Sequence, residues 1–217
     1  MTREEVARFI DHTLLKPEAT YNDIKKLCEE AKKYHFYAVC INPSFVKMAK
    51  EFLKDTDIKV ATVIGFPLGA DSINTKVYET KDAILNGADE VDMVINIGAL
   101  KSKDYAYIYD EIRAIKSVAK EKVLKVIIEA PVLTYEEKII ACSISKAAGA
   151  DFVKTSTGFS KQGGATVEDV KLMKAIVGDN VGVKAAGGIR TFEKAVEMIN
   201  AGANRIGASS SVRIMED

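Results

Sequence analysis

Apolar and polar positions along this chain follow two alternating periods. Short runs rich in β-branched residues fall at 7–11, 37–41, 59–65, 90–96, 123–129, 151–154, 181–185 and 204–207. The stretches between them repeat apolar residues every three or four positions, as in Ile108, Ile112, Ile115 and Val118, which share one helical face. Eight such runs, separated by helix-length segments, predict repeated βα units around a parallel sheet. A local repeat marks the same division: Asn86-Gly87-Ala88-Asp89, Ala148-Gly149-Ala150-Asp151 and Ala201-Gly202-Ala203-Asn204 each close a helical segment and open a strand. The glycine there suits the left-handed conformation that ends a helix and turns the chain into the next strand.

No linker or low-complexity tract divides the 217 residues, so residues 1–217 are expected to form a single domain. Eight βα units in one domain favour a closed (β/α)8 TIM barrel, and the length lies near the small end for that fold. The competing arrangement is an open doubly wound sheet. It is disfavoured because no GxGxxG turn follows the first strand.

Composition narrows the partners. The formal charge is zero, with 31 Lys and Arg against 31 Asp and Glu, so no electrostatic footprint exists for nucleic acid or an anionic membrane. Any phosphate recognition must be local. Cys28, Cys40 and Cys142 form no close pair, which speaks against a disulfide framework and against a zinc cluster. Arg3, Glu4, Glu5 and Arg8 interrupt the segment where a signal peptide needs an apolar core, and no run reaches membrane-spanning length. A reducing cytoplasm is the expected compartment. His12 and His35 suit structural roles, with the barrel mouth the alternative place for His12. Cys40 reads as a packed strand residue, near enough to a strand end for its thiol to approach a site there.

In a parallel barrel the carboxyl ends of the strands converge on one mouth, so polar residues interrupting apolar strands there are candidate chemistry. Three stand out: Asp92 within Glu90-Val91-Asp92-Met93-Val94-Ile95-Asn96, Lys154 ending Asp151-Phe152-Val153-Lys154, and Lys184 ending Val181-Gly182-Val183-Lys184. A single such lysine reads most simply as a strand running out into solvent. Two in one mouth change the reading, because each charge disfavours protonation of the other and desolvation acts in the same direction. A neutral amine can attack an aldehyde or ketone and form an iminium ion, an electron sink that permits carbon–carbon cleavage without metal or cofactor. Asp92 could then shuttle protons, or it could be a buried carboxylate paired structurally with a lysine. Ser156-Thr157-Gly158, Ala186-Gly187-Gly188-Ile189 and Gly207-Ala208-Ser209-Ser210-Ser211 each follow an expected strand. Any one could be a tight turn; together they favour a phosphorylated substrate.

Phe152-Val153-Lys154-Thr155-Ser156-Thr157-Gly158-Phe159, Val183-Lys184-Ala185-Ala186-Gly187-Gly188-Ile189-Arg190 and the Glu90–Asn96 run together resemble the signatures of the deoxyribose-phosphate aldolase family. So do Ile10-Asp11-His12-Thr13-Leu14-Leu15, Ala38-Val39-Cys40-Ile41-Asn42-Pro43, Val63-Ile64-Gly65-Phe66-Pro67-Leu68-Gly69 and Arg205-Ile206-Gly207-Ala208-Ser209-Ser210, in the family's order over nearly the whole chain. The resemblance implies a small phosphorylated sugar as substrate: reversible, metal-independent cleavage of 2-deoxy-D-ribose 5-phosphate to D-glyceraldehyde 3-phosphate and acetaldehyde. It makes Lys154 the Schiff-base lysine, Lys184 the cation that lowers its pKa, and Asp92 a proton relay through water. Gly187, Gly188, Ser209 and Ser210 match positions that hold the phosphate, with Gly158 and Gly207 in the neighbouring loops, while Asp11 and Thr157 match positions near the sugar hydroxyls. Family members commonly associate as dimers, so the resemblance allows a homodimer or larger homo-oligomer. One departure is Glu129-Ala130-Pro131-Val132-Leu133-Thr134, which replaces the family's usual Glu-Thr after the fifth strand, so Pro131 is expected to reshape that loop. Two alternatives remain at this level: another lysine-dependent or transaldolase-like enzyme, and a barrel that binds a sugar phosphate without catalysis.

Overall fold

The computed structural model describes residues 1–216. Its strands are β1 (Ile10–Leu14), β2 (Ala38–Ile41), β3 (Lys59–Ile64), β4 (Glu90–Val94), β5 (Val123–Ile127), β6 (Phe152–Lys154), β7 (Gly182–Ala186) and β8 (Arg205–Ala208). All neighbours are parallel and the order runs from β1 to β8 with β8 closing on β1, so the sheet is a complete barrel. The helices are α1 (Arg3–Ala7), α2 (Tyr21–Tyr34), α3 (Val46–Phe52), α4 (Ile73–Leu85), α5 (Ile97–Lys101), α6 (Tyr105–Ala119), α7 (Tyr135–Ala147), α8 (Val167–Val177), α9 (Phe192–Asn200) and α10 (Ser211–Glu216). Among the described residues no helix is long and apolar enough to cross a membrane.

Seven strands lie where the apolar runs place them, and the first does not. Residues 7–11 straddle a helix end and a strand start, because Ala7 closes α1 and β1 begins at Ile10. The cause is a capping box: the Thr2 hydroxyl accepts the Glu5 N–H at 3.2 Å and Glu5 accepts the Thr2 N–H at 2.8 Å, which nucleates a helical turn.

The glycine repeat does more than end helices. Gly87, Gly149 and Gly202 all have positive φ, and the next residue returns its N–H to the helix, as in Ala88 to Ala83 at 3.0 Å. The acidic or amide residue that follows then caps a neighbouring strand. Asp89 accepts the Val60 N–H at 3.0 Å, Asp151 that of Leu124 at 2.8 Å, and Asn204 that of Val183 at 3.0 Å.

The main apolar core is the layer between sheet and helices, where the Ile108, Ile112 and Ile115 face of α6 is fully buried. A fully buried ion pair lies inside that layer. Lys76 of α4 is fully buried, and its ammonium donates to the Gly69 and Val94 carbonyls at 2.8 Å each and to Glu111 of α6 at 2.5 Å. Glu111 also accepts the Asn96 N–H at 3.0 Å, so this node fastens the loop after β3 to the end of β4. The barrel interior differs. Aliphatic side chains ordinarily fill it in layers; here much of it is charged.

Candidate active site

Strand alternation points Asp11, Glu90, Asp92, Lys125, Lys154, Lys184 and Arg205 inward, where all are buried. Asp92 lies at their centre. Its Oδ1 accepts from Lys125 at 2.8 Å, and its Oδ2 accepts from both Lys154 and Lys184 at 2.8 Å. Lys184 also donates to Asp11 at 2.5 Å, Lys125 reaches Glu90 at 2.5 Å, and Arg205 joins Asp11 at 2.8 Å to Glu90 at 3.1 Å. The Arg205 guanidinium lies 3.6 Å from the centre of the Tyr37 ring and 5.4 Å from that of Phe152.

The network holds three carboxylates, Asp11, Glu90 and Asp92, against four cationic side chains, Lys125, Lys154, Lys184 and Arg205. Charge balance therefore favours the loss of one proton, and Lys154 is placed to lose it. Burial disfavours its charge most, Asp92 opposes that, and the Lys184 ammonium adds to it, leaving the Lys154 pKa below the ordinary lysine value. Burial acts against Lys184 as well, but Asp11 and Asp92 more than offset it and raise its pKa. Lys125 is likewise raised, since Asp92 and Glu90 outweigh its desolvation. Burial also opposes ionisation of Asp92, yet Lys125, Lys154 and Lys184 hold its carboxyl well below the usual range.

Above Lys154 opens a cavity of about 340 Å³. Lys154 forms part of its wall, Thr157 and Gly158 border it after β6, Gly187 and Gly188 after β7, and Gly207 and Ser209 at β8. Leu14 and Leu15, after β1, add apolar lining, and Leu15 packs in turn on a small cluster of Cys40, Ala61 and Val63 with Phe66 against it. Asp92 and Lys184 lie beneath, fully buried.

Several expected placements change. Asp11 is not beside the cavity; Lys184 and Arg205 draw its carboxylate into the closed network, where it is fully buried. Thr157 borders the cavity, but its hydroxyl donates to Glu129 at 2.5 Å rather than facing a ligand. Ser210 lies outside the central cavity, in a shallow depression with His12, Lys26 and Glu30. His12 itself faces away from the barrel axis: its Nε2 lies 2.8 Å from Glu30 and its ring stacks obliquely on Phe36. His35 ends α2 in the left-handed conformation. Pro131 sits in a short helical turn, Ala130–Val132, that leads the chain away after Glu129.

Other residues come into view only in three dimensions. Lys125, Glu90 and Arg205 complete the charge network, and Lys16 and Arg190 bring two exposed cations to the cavity edge. Lys125 had a legible signal, a lysine at an inward position of the apolar run 123–127, as had Glu90, two residues before Asp92. Lys16 and Arg190 are loop residues with no period to mark them. Each interior carboxylate is already engaged by a cation, and among the described residues no group of three or more His, Cys, Asp or Glu is placed to hold a metal ion.

Comparison with known proteins gives the family. Residues 6–215 match the profile of the DeoC/LacD family aldolases. A deoxyribose-phosphate aldolase of Caldicellulosiruptor saccharolyticus is 59% identical, with 100% of both chains covered. Another, from Thermococcus kodakarensis, is 62% identical across 100% of this chain and 98% of its own. Among solved structures, the tetrameric deoxyribose phosphate aldolase from Aeropyrum pernix superposes with a TM-score of 0.92 at 35% identity, covering 99% of this chain and 91% of that one. The chain is an enzyme and belongs to the DeoC/LacD aldolase family, alongside the deoxyribose-phosphate aldolases.

Proposed function

We propose that this enzyme reversibly cleaves 2-deoxy-D-ribose 5-phosphate to D-glyceraldehyde 3-phosphate and acetaldehyde through a Schiff base on Lys154. The observation that carries this reading is the pairing of an amine with a lowered pKa, Lys154, with a cavity ringed by glycine and serine loops. The neutral Lys154 amine attacks C1 of the open-chain aldehyde, and loss of water from the carbinolamine gives an iminium ion. A base takes the proton of the C3 hydroxyl, the C2–C3 bond breaks, and its electron pair moves into the iminium to give an enamine. D-Glyceraldehyde 3-phosphate leaves. Protonation of the enamine carbon and hydrolysis then free acetaldehyde and return the amine. Asp92, hydrogen-bonded to both lysines, is the group to relay these protons through water. Gly158, Gly187, Gly188, Gly207 and Ser209 supply the phosphate cradle, and Lys16 and Arg190 add positive charge at its rim.

Incubation with acetaldehyde and borohydride, followed by peptide mass spectrometry, should place a reduced two-carbon adduct on Lys154, with cleavage of the sugar phosphate measured in parallel. An adduct elsewhere, or none, defeats the mechanism. An adduct at Lys154 without cleavage keeps the imine and rejects the substrate. The tetrameric relative from Aeropyrum pernix supports a homo-oligomeric state here too, which sedimentation would test. Three buried, unpaired thiols suit a reducing cytoplasm.

A further inference from the structure

We propose that Glu129 is a positioning residue that sets the anion-binding side of the cavity by holding Thr157, an inference that rests on the phosphate reading above. Glu129 follows β5 and adopts φ 54°, ψ 56°, a left-handed conformation uncommon for a residue with a side chain. It is buried, 4% exposed. Such a backbone persists only where its surroundings hold it, and here they do. The Ile128 N–H donates to the Lys154 carbonyl at 3.1 Å and the Ala130 N–H to the Thr155 carbonyl at 2.7 Å, so the chain on both sides of Glu129 is hydrogen-bonded to the segment leaving β6.

The Glu129 carboxylate continues that line of bonds with its side chain. It accepts the Thr157 N–H at 3.2 Å and the Thr157 hydroxyl at 2.5 Å, and that hydroxyl accepts the Phe159 N–H at 3.0 Å. Thr157, Gly158 and Phe159 are thereby fixed as a unit, and all three border the cavity. The unit bears on the next loop. Gly158, at φ +84°, packs beside Gly187, where a Cβ on Gly187 would meet the Gly158 Cα at 3.5 Å in ordinary van der Waals contact, and Ala165 donates to the Gly187 carbonyl at 3.0 Å. One carboxylate that does not itself line the cavity thus holds the loop after β6, against which the Gly187 loop packs. The Lys154 backbone is bonded to Ile128, but its amine is held by Asp92 and makes no bond to the Glu129 carboxylate.

This separation makes the role testable with inorganic phosphate and acetaldehyde as independent probes. Glu129→Ala should weaken phosphate binding, measured by calorimetry, about tenfold or more and raise KM for 2-deoxyribose 5-phosphate in proportion, as loss of a charge-assisted hydrogen-bond pair predicts. Its rate of borohydride-trapped adduct formation with acetaldehyde should stay within about twofold of the parent, since that probe carries no phosphate. Glu129→Gln keeps an acceptor and should restore phosphate binding to within about threefold. Unchanged phosphate binding in Glu129→Ala, or a parallel fall in trapping, overturns the proposal. Should Glu129→Ala fail to fold, Thr157→Val takes its place: it removes the hydroxyl donor, and unweakened phosphate binding in it overturns the proposal equally. A parent protein that binds no phosphate overturns both this role and the anion reading, whereas a parent that binds it only as tightly as Glu129→Ala does refutes the role of Glu129 alone.

Discussion

Lys76 and Lys154 are both buried amines in contact with carboxylates, and they are prepared for opposite ends. Each N–H of the Lys76 ammonium has its own acceptor: two carbonyls and Glu111. Lys154 has Asp92 Oδ2, which it shares with Lys184. Around Lys76 one cation meets one carboxylate; around Lys154 cations outnumber carboxylates. Burial is common to both. What sets Lys154 apart is a shortage of negative charge and of acceptors around it.

The sharpest way to break this comparison is to remove each amine in turn. Lys154→Met should lower cleavage on the order of 10⁴-fold or more and abolish adduct trapping. It should cost little stability, because the remaining network then has equal numbers of cations and carboxylates; a large fall in denaturant midpoint would contradict that count. Lys76→Met should do the reverse. It leaves Glu111 buried without its cation, which costs about 3–5 kcal/mol. Thermal unfolding should then occur about 10 °C lower, while folded protein still forms the adduct at Lys154.

A smaller effect is expected from Lys184→Leu. Removing that charge raises the Lys154 pKa, so adduct formation, which needs the neutral amine, should move its rising limb to higher pH. Near neutrality the rate should fall about tenfold for every pH unit that the limb moves, and an unmoved limb would refute the role given to Lys184.

Acid should also act in opposite directions on the two nodes. Desolvation raises the Glu111 pKa above the ordinary value despite Lys76, so its protonation favours the folded state as the pH falls through that range. Asp11 and Asp92 are depressed by their cations despite burial. Their contribution is complete above the unfolded carboxylate range near pH 4 and is lost as the pH drops further toward their folded values. Denaturant midpoints measured from pH 7 to pH 3 should show the early component vanish in Glu111→Gln and the late one remain. Smallest of all, Thr134→Ala removes the capping-box hydroxyl of α7 and should cost about 1 kcal/mol, touching neither amine.

The sequence made the fold readable where packing is repetitive. Seven strands followed from apolar β-branched runs because both faces of a barrel strand are enclosed, and β1 was misplaced because the short helix before it depends on a cap rather than on a period. Lys154, Lys184 and Asp92 were visible as polar breaks in apolar strands, and the structure brings them into one hydrogen-bonded cluster. The surroundings of Asp11 and Thr157 were not legible for a different reason: their positions could be matched, but which neighbour claims their oxygens depends on contacts between distant strands. Arg205 binds Asp11 across 194 positions, and Glu129 binds Thr157 across 28. Glu129 was marked in the sequence only as the start of the altered loop after the fifth strand, since its contacts reside in a backbone angle and a single threonine.

The helix-ending repeat also works as a ruler for the chemistry. Asp89, Asp151 and Asn204, each tied to the amide of an adjacent strand, stand three positions before Asp92, Lys154 and Gly207. Because side chains alternate along a strand, that interval decides which of them face the barrel axis. One residue inserted between Asp151 and Lys154 would turn the amine out among the helices and bring an aliphatic side chain in, which under the proposed mechanism silences the enzyme with every named residue still present. The interval is therefore as much a part of the proposed site as the residues it separates.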